Sequence, residues 1–309
     1  MPALDLANDE AALPAAPVPQ VYIHKVNPAE VLLTGWRRTG PDAFTVTARW
    51  PHAHEFYAAR HGLLDPLLLS ESVRQTLPLL SHAAYDVPLG HQLLWQDFHW
   101  ELDPAALRDE GRGADVELRI TATDVRYRRG RAADLVLQVQ AWRGGARLAE
   151  ARTHFTVQDR PVYDRIRGPY ADVALANARA LPAPPPAPAS VLGRSRDEDV
   201  VLSCVDGEDH WRLRVDTSHP ILFDHPVDHV PGMLLLEAAR QAAQFTSRPR
   251  AAVVVGMETR FIRYAELDAP CRIDARPLPD APAGRQRVLV TARQHDEEIF
   301  TDVVTLGEV

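Results

Sequence analysis

Cysteine is scarce in this 309-residue sequence: only Cys204 and Cys271 occur, with no Cys-x-x-Cys and no metal-ligand spacing between them. That argues against a disulfide framework and fits a reducing compartment. Long apolar runs are missing as well. No stretch approaches the ~20 residues needed to cross a bilayer. The first twenty residues, rich in alanine, proline and acid, lack the basic start and apolar block of a signal peptide. A cytoplasmic protein with no membrane partner is expected. Positive charge is in deficit, with 34 Lys and Arg against 42 Asp and Glu and a net charge of −8. The chain as a whole is repelled by phosphate backbones, so nucleic-acid binding is disfavoured. What is present, 46% hydrophobic and 25% charged residues, suits a globular protein of two ordinary domains.

Proline punctuates the chain. Residues 1–20 show no periodicity and read as a disordered tail. Leu181-Pro-Ala-Pro-Pro-Pro-Ala-Pro-Ala-Ser190 has five prolines in ten residues and reads as a stiff connector, so the linker is set at 179–190. It separates a first half, 21–178, from a second, 191–309. Each half follows one plan. In the first, Phe44, Val46, Ala48 and Trp50 alternate as a half-buried strand does, a helical run follows over about 66–82, and strands are predicted at 93–102, 115–122, 134–142 and 146–157. In the second, a strand at 211–215 precedes a helix over about 232–245 and strands near 252–264, 271–275, 287–292 and 299–306. One helix among antiparallel strands, twice, is an α+β pattern.

The halves also align residue by residue. Glu71, Arg74 and Gln75 match Glu237, Arg240 and Gln241 at a constant offset of 166. His54 and His219 each stand shortly before their helix. A shared Glu-x-x-Arg-Gln in one structural slot favours an internal duplication.

The second helix is apolar nearly all round, yet Glu237, Arg240, Gln241 and Gln244 fall at i, i+3, i+4 and i+7, one stripe. A solvent face is the ordinary reading of such a stripe; its narrowness in a greasy helix, and its repetition, favour a functional one. Ahead of it, the loop from Asp216 to Gly232 holds His219, His225 and His229 with Asp216, Asp224 and Asp228. No HExxH or HxxEH pattern accompanies them and prolines keep the loop extended, so no metal is assigned. The loop instead sets a histidine and an aspartate beside the helix start. There Pro231-Gly232 leaves the first amides, Gly232 and Met233, free to hold a developing oxyanion. Trp95, Phe98, Trp100 and Tyr264 suit an acyl tunnel, although aromatics in alternating strands are more often core. Arg126-Tyr-Arg-Arg-Gly-Arg131 reads as a solvated turn, with docking of an acidic carrier protein as the functional alternative.

A loop ending in Pro-Gly, then apolar residues, Glu and Ala, resembles the hotdog dehydratases of fatty-acid synthesis. A longer match is carried by Val21-Tyr-Ile-His-Lys25, Glu30-Val-Leu-Leu-Thr-Gly-Trp36, Ala48-Arg-Trp-Pro51, Asp65-Pro-Leu-Leu-Leu-Ser-Glu71, Val87-Pro-Leu-Gly-His91 and the run Asp224 to Gln241. Together these resemble the A-factor biosynthesis (AfsA-like) family. The resemblance implies a tandem double hotdog, each half a sheet wrapped around a central helix and packed as an internal pseudo-dimer. It implies an acyltransferase that moves a β-ketoacyl group from an acyl carrier protein to a hydroxyl of dihydroxyacetone phosphate, with no cofactor. The products lead to γ-butyrolactone, butenolide or furan-type signals.

Within that expectation Glu237 is the base, with Glu71 as its counterpart, both facing one cleft shared by the halves. Arg240 clamps the phosphate, with Arg74 and Arg263 as further candidates beside Arg260, and Gln241 lies on the same stripe. His225 or His229 orients the hydroxyl or protonates the leaving thiolate. The first half has Asp65-Pro66 where the second has Pro231-Gly232, which points to one productive site. The alternatives are a hotdog thioester dehydratase or thioesterase, or a non-catalytic module that holds an acyl chain or lactone.

Overall fold

A computed structural model describes residues 16–205, 210–249, 251–279, 281 and 284–309. The first half runs β1 (Leu33–Gly40), β2 (Ala43–Trp50), α1 (Leu67–Ala83), β3 (Gln92–Leu102), β4 (Ala114–Arg128), β5 (Arg131–Arg143) and β6 (Ala146–Gln158). Two short helices follow, α2 (Arg160–Arg167) and α3 (Val173–Arg179). The second half repeats the plan with β7 (Leu202–Cys204), β8 (Trp211–Leu213), α4 (Gly232–Ser247), β9 (Ala252–Phe261), β10 (Arg272–Leu278), β11 (Gln286–Gln294) and β12 (Glu297–Glu308).

All twelve strands form one sheet in the order β1-β2-β4-β5-β6-β3-β9-β12-β11-β10-β8-β7. Read outward from its centre, the order is the same in both directions: β3 answers β9, β6 answers β12, and β1 answers β7 at the far edge. The halves join where β3 pairs with β9, antiparallel, from Asp97↔Arg260 to Glu101↔Gly256. This is the tandem hotdog expected from the sequence, with α1 and α4 as the two central helices. Alternation explains the packing. Val116, Leu118 and Ile120 of β4 turn inward, as do Val288, Val290 and Ala292 of β11, and the inward rows close over the helices.

Three sequence expectations change. Strand β1 was not predicted; its stretch Leu33-Thr-Gly-Trp-Arg-Arg-Thr-Gly40 has little alternation because only its first residues are buried. The proline stretch is no free spacer. Leu181 N–H bonds to Leu267 O at 2.9 Å, Ala187 N–H to Leu202 O at 2.9 Å, and Pro185 O accepts from Ser203 at 2.6 Å, so it is strapped to the second half. Most of the expected disordered tail lies outside the described residues, but Ala16 and Trp36 exchange backbone bonds at 2.8 and 3.0 Å.

One core residue carries a cost. Asp302 of β12 is fully buried between Val290 and Thr259 on the neighbouring strands. Burial pushes its carboxyl up to about 8, and the nearby Thr259 hydroxyl offsets only part of this. The unfolded chain loses that proton near pH ~4. Stability from this group is therefore complete below that pH and is lost as pH rises to about 8. The melting-temperature advantage of Asp302→Asn over the parent should grow between pH 4 and pH 8. An advantage that stays constant over this range would show that the buried carboxyl is ionised throughout.

Candidate active site

Each central helix is tied to the segment that opens its half by the same device. Gln75 on α1 accepts from Leu32 N–H at 3.0 Å and donates to Glu30 O at 2.7 Å. Gln241 on α4 accepts from Val201 N–H at 3.1 Å and donates to Asp199 O at 2.8 Å. The amide thus replaces a strand neighbour, and one turn earlier on each helix stands the glutamate. Glu71 takes two 2.8 Å bonds from Arg74 and an ion pair from Lys25 at 3.1 Å. Glu237 takes bonds of 2.9 and 2.6 Å from Arg240, and pairs with Arg194 at 2.9 and 2.8 Å.

Lys25 and Arg194 are functional positions the sequence reading missed. They are duplicates at an offset of 169 rather than 166, because the intervening loops differ in length. The signal was there: Ile23-His-Lys25 with Glu30-Val-Leu-Leu33 parallels Leu192-Gly-Arg194 with Asp199-Val-Val-Leu202. His54 and His219 are duplicates of a structural kind. The Nδ1 of His54 accepts from Phe56 and Tyr57 N–H, and that of His219 from Ile221 and Leu222 N–H.

The two glutamates do not share a cleft. Glu71 lines a cavity of about 750 Å³ between the halves, together with His24, Lys25, Tyr57 and Arg74 from the first half. His225, His229, Gly232, Met233 and Arg263 line it from the second. Glu237 and Gln241 do not reach that cavity. The Glu237 carboxylate is fully buried and closed off by Arg194, which lies 4.1 Å over the Phe56 ring. Arg240, 3% exposed, opens instead on a smaller cavity.

Electrostatics separates the candidates. Burial raises the Glu71 carboxyl, but Arg74 and Lys25 outweigh it and hold the group down at about 2. Glu237 is likewise held below the usual carboxylate range, by Arg194 and Arg240 against its burial. Both are ionised, and both are poor proton acceptors at neutral pH because their conjugate acids are strong.

His229 is better placed. Its Nδ1 lies 2.6 Å from Asp228 Oδ1. A carboxylate there accepts a hydrogen bond from Nδ1–H, which keeps that proton on Nδ1 and leaves Nε2 as the acceptor. Asp228 in turn accepts from Tyr163 Oη at 2.7 Å and from Arg167 at 3.3 Å, both on α2. Although burial opposes it, the His229, Tyr163 and Arg167 contacts hold Asp228 at about 2. The sequence reading left α2 out. Its signature is Asp159 ahead of Pro161, and the Asp159 side chain does cap Val162 N–H at 3.0 Å.

His225 stands at the rim, 39% exposed, 3.4 Å from Asp224. Asp224 instead clasps the first half, accepting from Val26 and Asn27 N–H at 2.5 and 2.8 Å. Arg263 is also on the rim, in an exposed pair with Glu297. Gly232 opens α4 beneath the stacked rings of Trp95 and Phe261, 4.9 Å apart. A Cβ at Gly232 would stand 3.1 and 3.2 Å from those rings, so a larger residue would make the rings give by a few tenths of an ångström for the helix start to sit there. Trp95 and Tyr264 line the cavity, while Phe98 and Trp100 belong to the core. The basic run around Arg128 is the exposed β4–β5 turn and does not line it.

If Glu237 is a brace, its removal is a stability event. Glu237→Ala leaves two guanidiniums buried without their counter-charge and should cost about 3–5 kcal/mol of unfolding free energy, read by denaturant titration. A loss under about 1 kcal/mol would mean that the ion cluster holds nothing together.

Comparison with known proteins agrees with this architecture. A model of the A-factor biosynthesis hotdog domain matches residues 6–159 and 175–306. A Streptomyces virginiae protein named 2-oxo-3-(phosphooxy)propyl 3-oxoalkanoate synthase is 44% identical over 93% of this chain and 96% of its own. A Streptomyces coelicolor protein of the same name is 41% identical over 93% and 90%. Among solved structures, the 12:0-ACP thioesterase from Umbellularia californica superposes with a TM-score of 0.52 at 10% identity, covering 88% of this chain and all of that one, a likeness of fold. With the duplicated helices, the cross-half sheet and these matches in hand, the chain belongs to the A-factor biosynthesis hotdog family.

Proposed function

We propose that the chain is an acyltransferase that esterifies dihydroxyacetone phosphate with a β-ketoacyl group delivered as an acyl-carrier-protein thioester. The product class is the one in its relatives' name, a 2-oxo-3-(phosphooxy)propyl 3-oxoalkanoate, and it feeds lactone-type signal biosynthesis. The observation that carries the reading is the single cavity in which a histidine–aspartate pair, a free helix start and two cations meet.

The reaction needs the acceptor hydroxyl to lose its proton as its oxygen attacks the thioester carbonyl. His229 Nε2 takes that proton, with Asp228 stabilising the imidazolium that forms. The carbonyl electron pair moves to oxygen and is met by the Gly232 and Met233 amides, one such donor being worth about 3–4 kcal/mol of barrier. The tetrahedral intermediate collapses, the carbon–sulfur bond breaks, and His229 returns the proton to the thiolate. Arg74 and Lys25 supply the positive charge for the phosphate, and Glu71 fixes their positions. Glu71 thereby replaces Glu237 as the functional carboxylate, as an electrostatic anchor and not as the base.

Incubation with a β-ketoacyl thioester, with and without dihydroxyacetone phosphate, should yield the phosphorylated ester only when both are present, by product mass. Free acid as the sole product would replace transfer with hydrolysis, and loss of water from a β-hydroxyacyl thioester offered in its place would replace it with dehydration. In the same assay His229→Gln should lower kcat by about 100-fold or more. Arg74→Gln should chiefly raise KM for the triose phosphate. Unchanged kcat in His229→Gln would remove the assigned base.

A further inference from the structure

The duplication leaves a second cavity, of about 260 Å³, on the other side of the pseudo-twofold. It is walled by Arg60, Asp65, Gly193, Arg240, Gln244 and Arg248. Its residues are the counterparts of those in the catalytic cavity. Arg240 stands for Arg74. Arg60 stands for His225, at the offset of 165 that also relates His54 to His219. Gly193 stands for His24, and the space left by the missing side chain is filled by Gln244, whose Oε1 would be 2.2 Å from a Cβ there.

Two of these groups lack partners among the described residues. Arg60 Nη1 is shut off from solvent with no acceptor, and Gln244 Oε1 is shut off with no donor. Of the charged side chains on the cavity among the described residues, three are arginines and one is a carboxylate, Asp65. That carboxylate is already engaged, accepting from Leu67 N–H at 2.8 Å and lying 3.6 Å from Arg240 Nη1. The Arg240 fork is spent on Glu237. Arg60, half-buried, thus keeps its Nη1 with no acceptor among the described residues, and Arg240 and Arg194 crowd it against the attraction of Asp65 and Glu237. Burial and those two like charges pull its pKa down. A donor without an acceptor, on the same cavity as an acceptor without a donor, suits a protonated oxyanion better than it suits a void.

We propose that this cavity is a second, non-catalytic site for a small phosphate monoester, with Arg60 and Arg248 on the phosphate oxygens and Gln244 accepting from a hydroxyl of the ligand. It has no counterpart of the His229–Asp228 pair on its walls, and its glutamate is sealed behind Arg194, so it binds without turnover. The site stands whether or not Arg74 seats phosphate in the catalytic cavity.

Titration calorimetry of the full chain with inorganic phosphate at low ionic strength tests the proposal. The parent should show two sites, Arg60→Gln should lose one while keeping parental kcat and KM, and Arg74→Gln should lose the other. Arg248→Gln, on the exposed rim where folding is not at stake, should weaken the Arg60-dependent site about tenfold. Parental phosphate binding in Arg248→Gln and in Arg60→Gln would overturn the proposal, as would acetate binding there as tightly as phosphate. Loss of no site in Arg74→Gln would instead overturn the phosphate seat of the catalytic cavity and leave this one standing.

Discussion

A carboxylate sunk in each central helix, held between an arginine one turn on and a cation from the segment that opens its half, is the constraint around which the molecule is organised. Charges removed from water are tolerated only when matched closely. Lys25 and Arg194 must therefore come to Glu71 and Glu237, and they bring their segments with them. The glutamines one turn further along each helix complete the attachment through paired backbone bonds. Helix, preceding segment and sheet become one unit in each half, and the β3–β9 ladder makes the two units continuous.

From that common frame the halves diverged by a few side chains. Beside Glu71 the pair is a lysine, leaving the Arg74 guanidinium partly open at 23% side-chain exposure. Beside Glu237 the pair is a second arginine, which adds its own fork and seals the carboxylate. The loop before α4 carries His229, Asp228 and the Pro231-Gly232 start. The loop before α1 carries Asp65-Pro66. One half thus contributes the anchored cations and the other the histidine–aspartate pair and the free amides, to which we assign proton transfer and the oxyanion. The cavity lies between them, lined by both halves.

The segment that follows β6, ahead of the connector, takes part in that cavity. Its helix α2 delivers Tyr163 and Arg167 to Asp228, and Arg167 is fixed in turn by Glu266 at 2.8 Å. Asp228 is thereby held ionised and oriented, which is what the histidine needs to present one nitrogen as an acceptor. The chain between two duplicated units is often free to vary. Here it supports a side chain that faces the cavity.

The sequence by itself determined the duplication, the α+β alternation and the two central helices. Hydrophobic period and the repeated Glu-x-x-Arg-Gln are local features that survive without coordinates. It also located the loop whose His229 and Gly232 line the cavity. Only the tertiary structure decided which glutamate serves which cavity, because pairing across the pseudo-twofold sets Glu71 opposite the loop of the other half. Lys25 and Arg194 escaped notice for a related reason. Partners distant in sequence are chosen by the depth of a buried charge, and a change of three residues in loop length hides their equivalence while leaving the ion pairs intact.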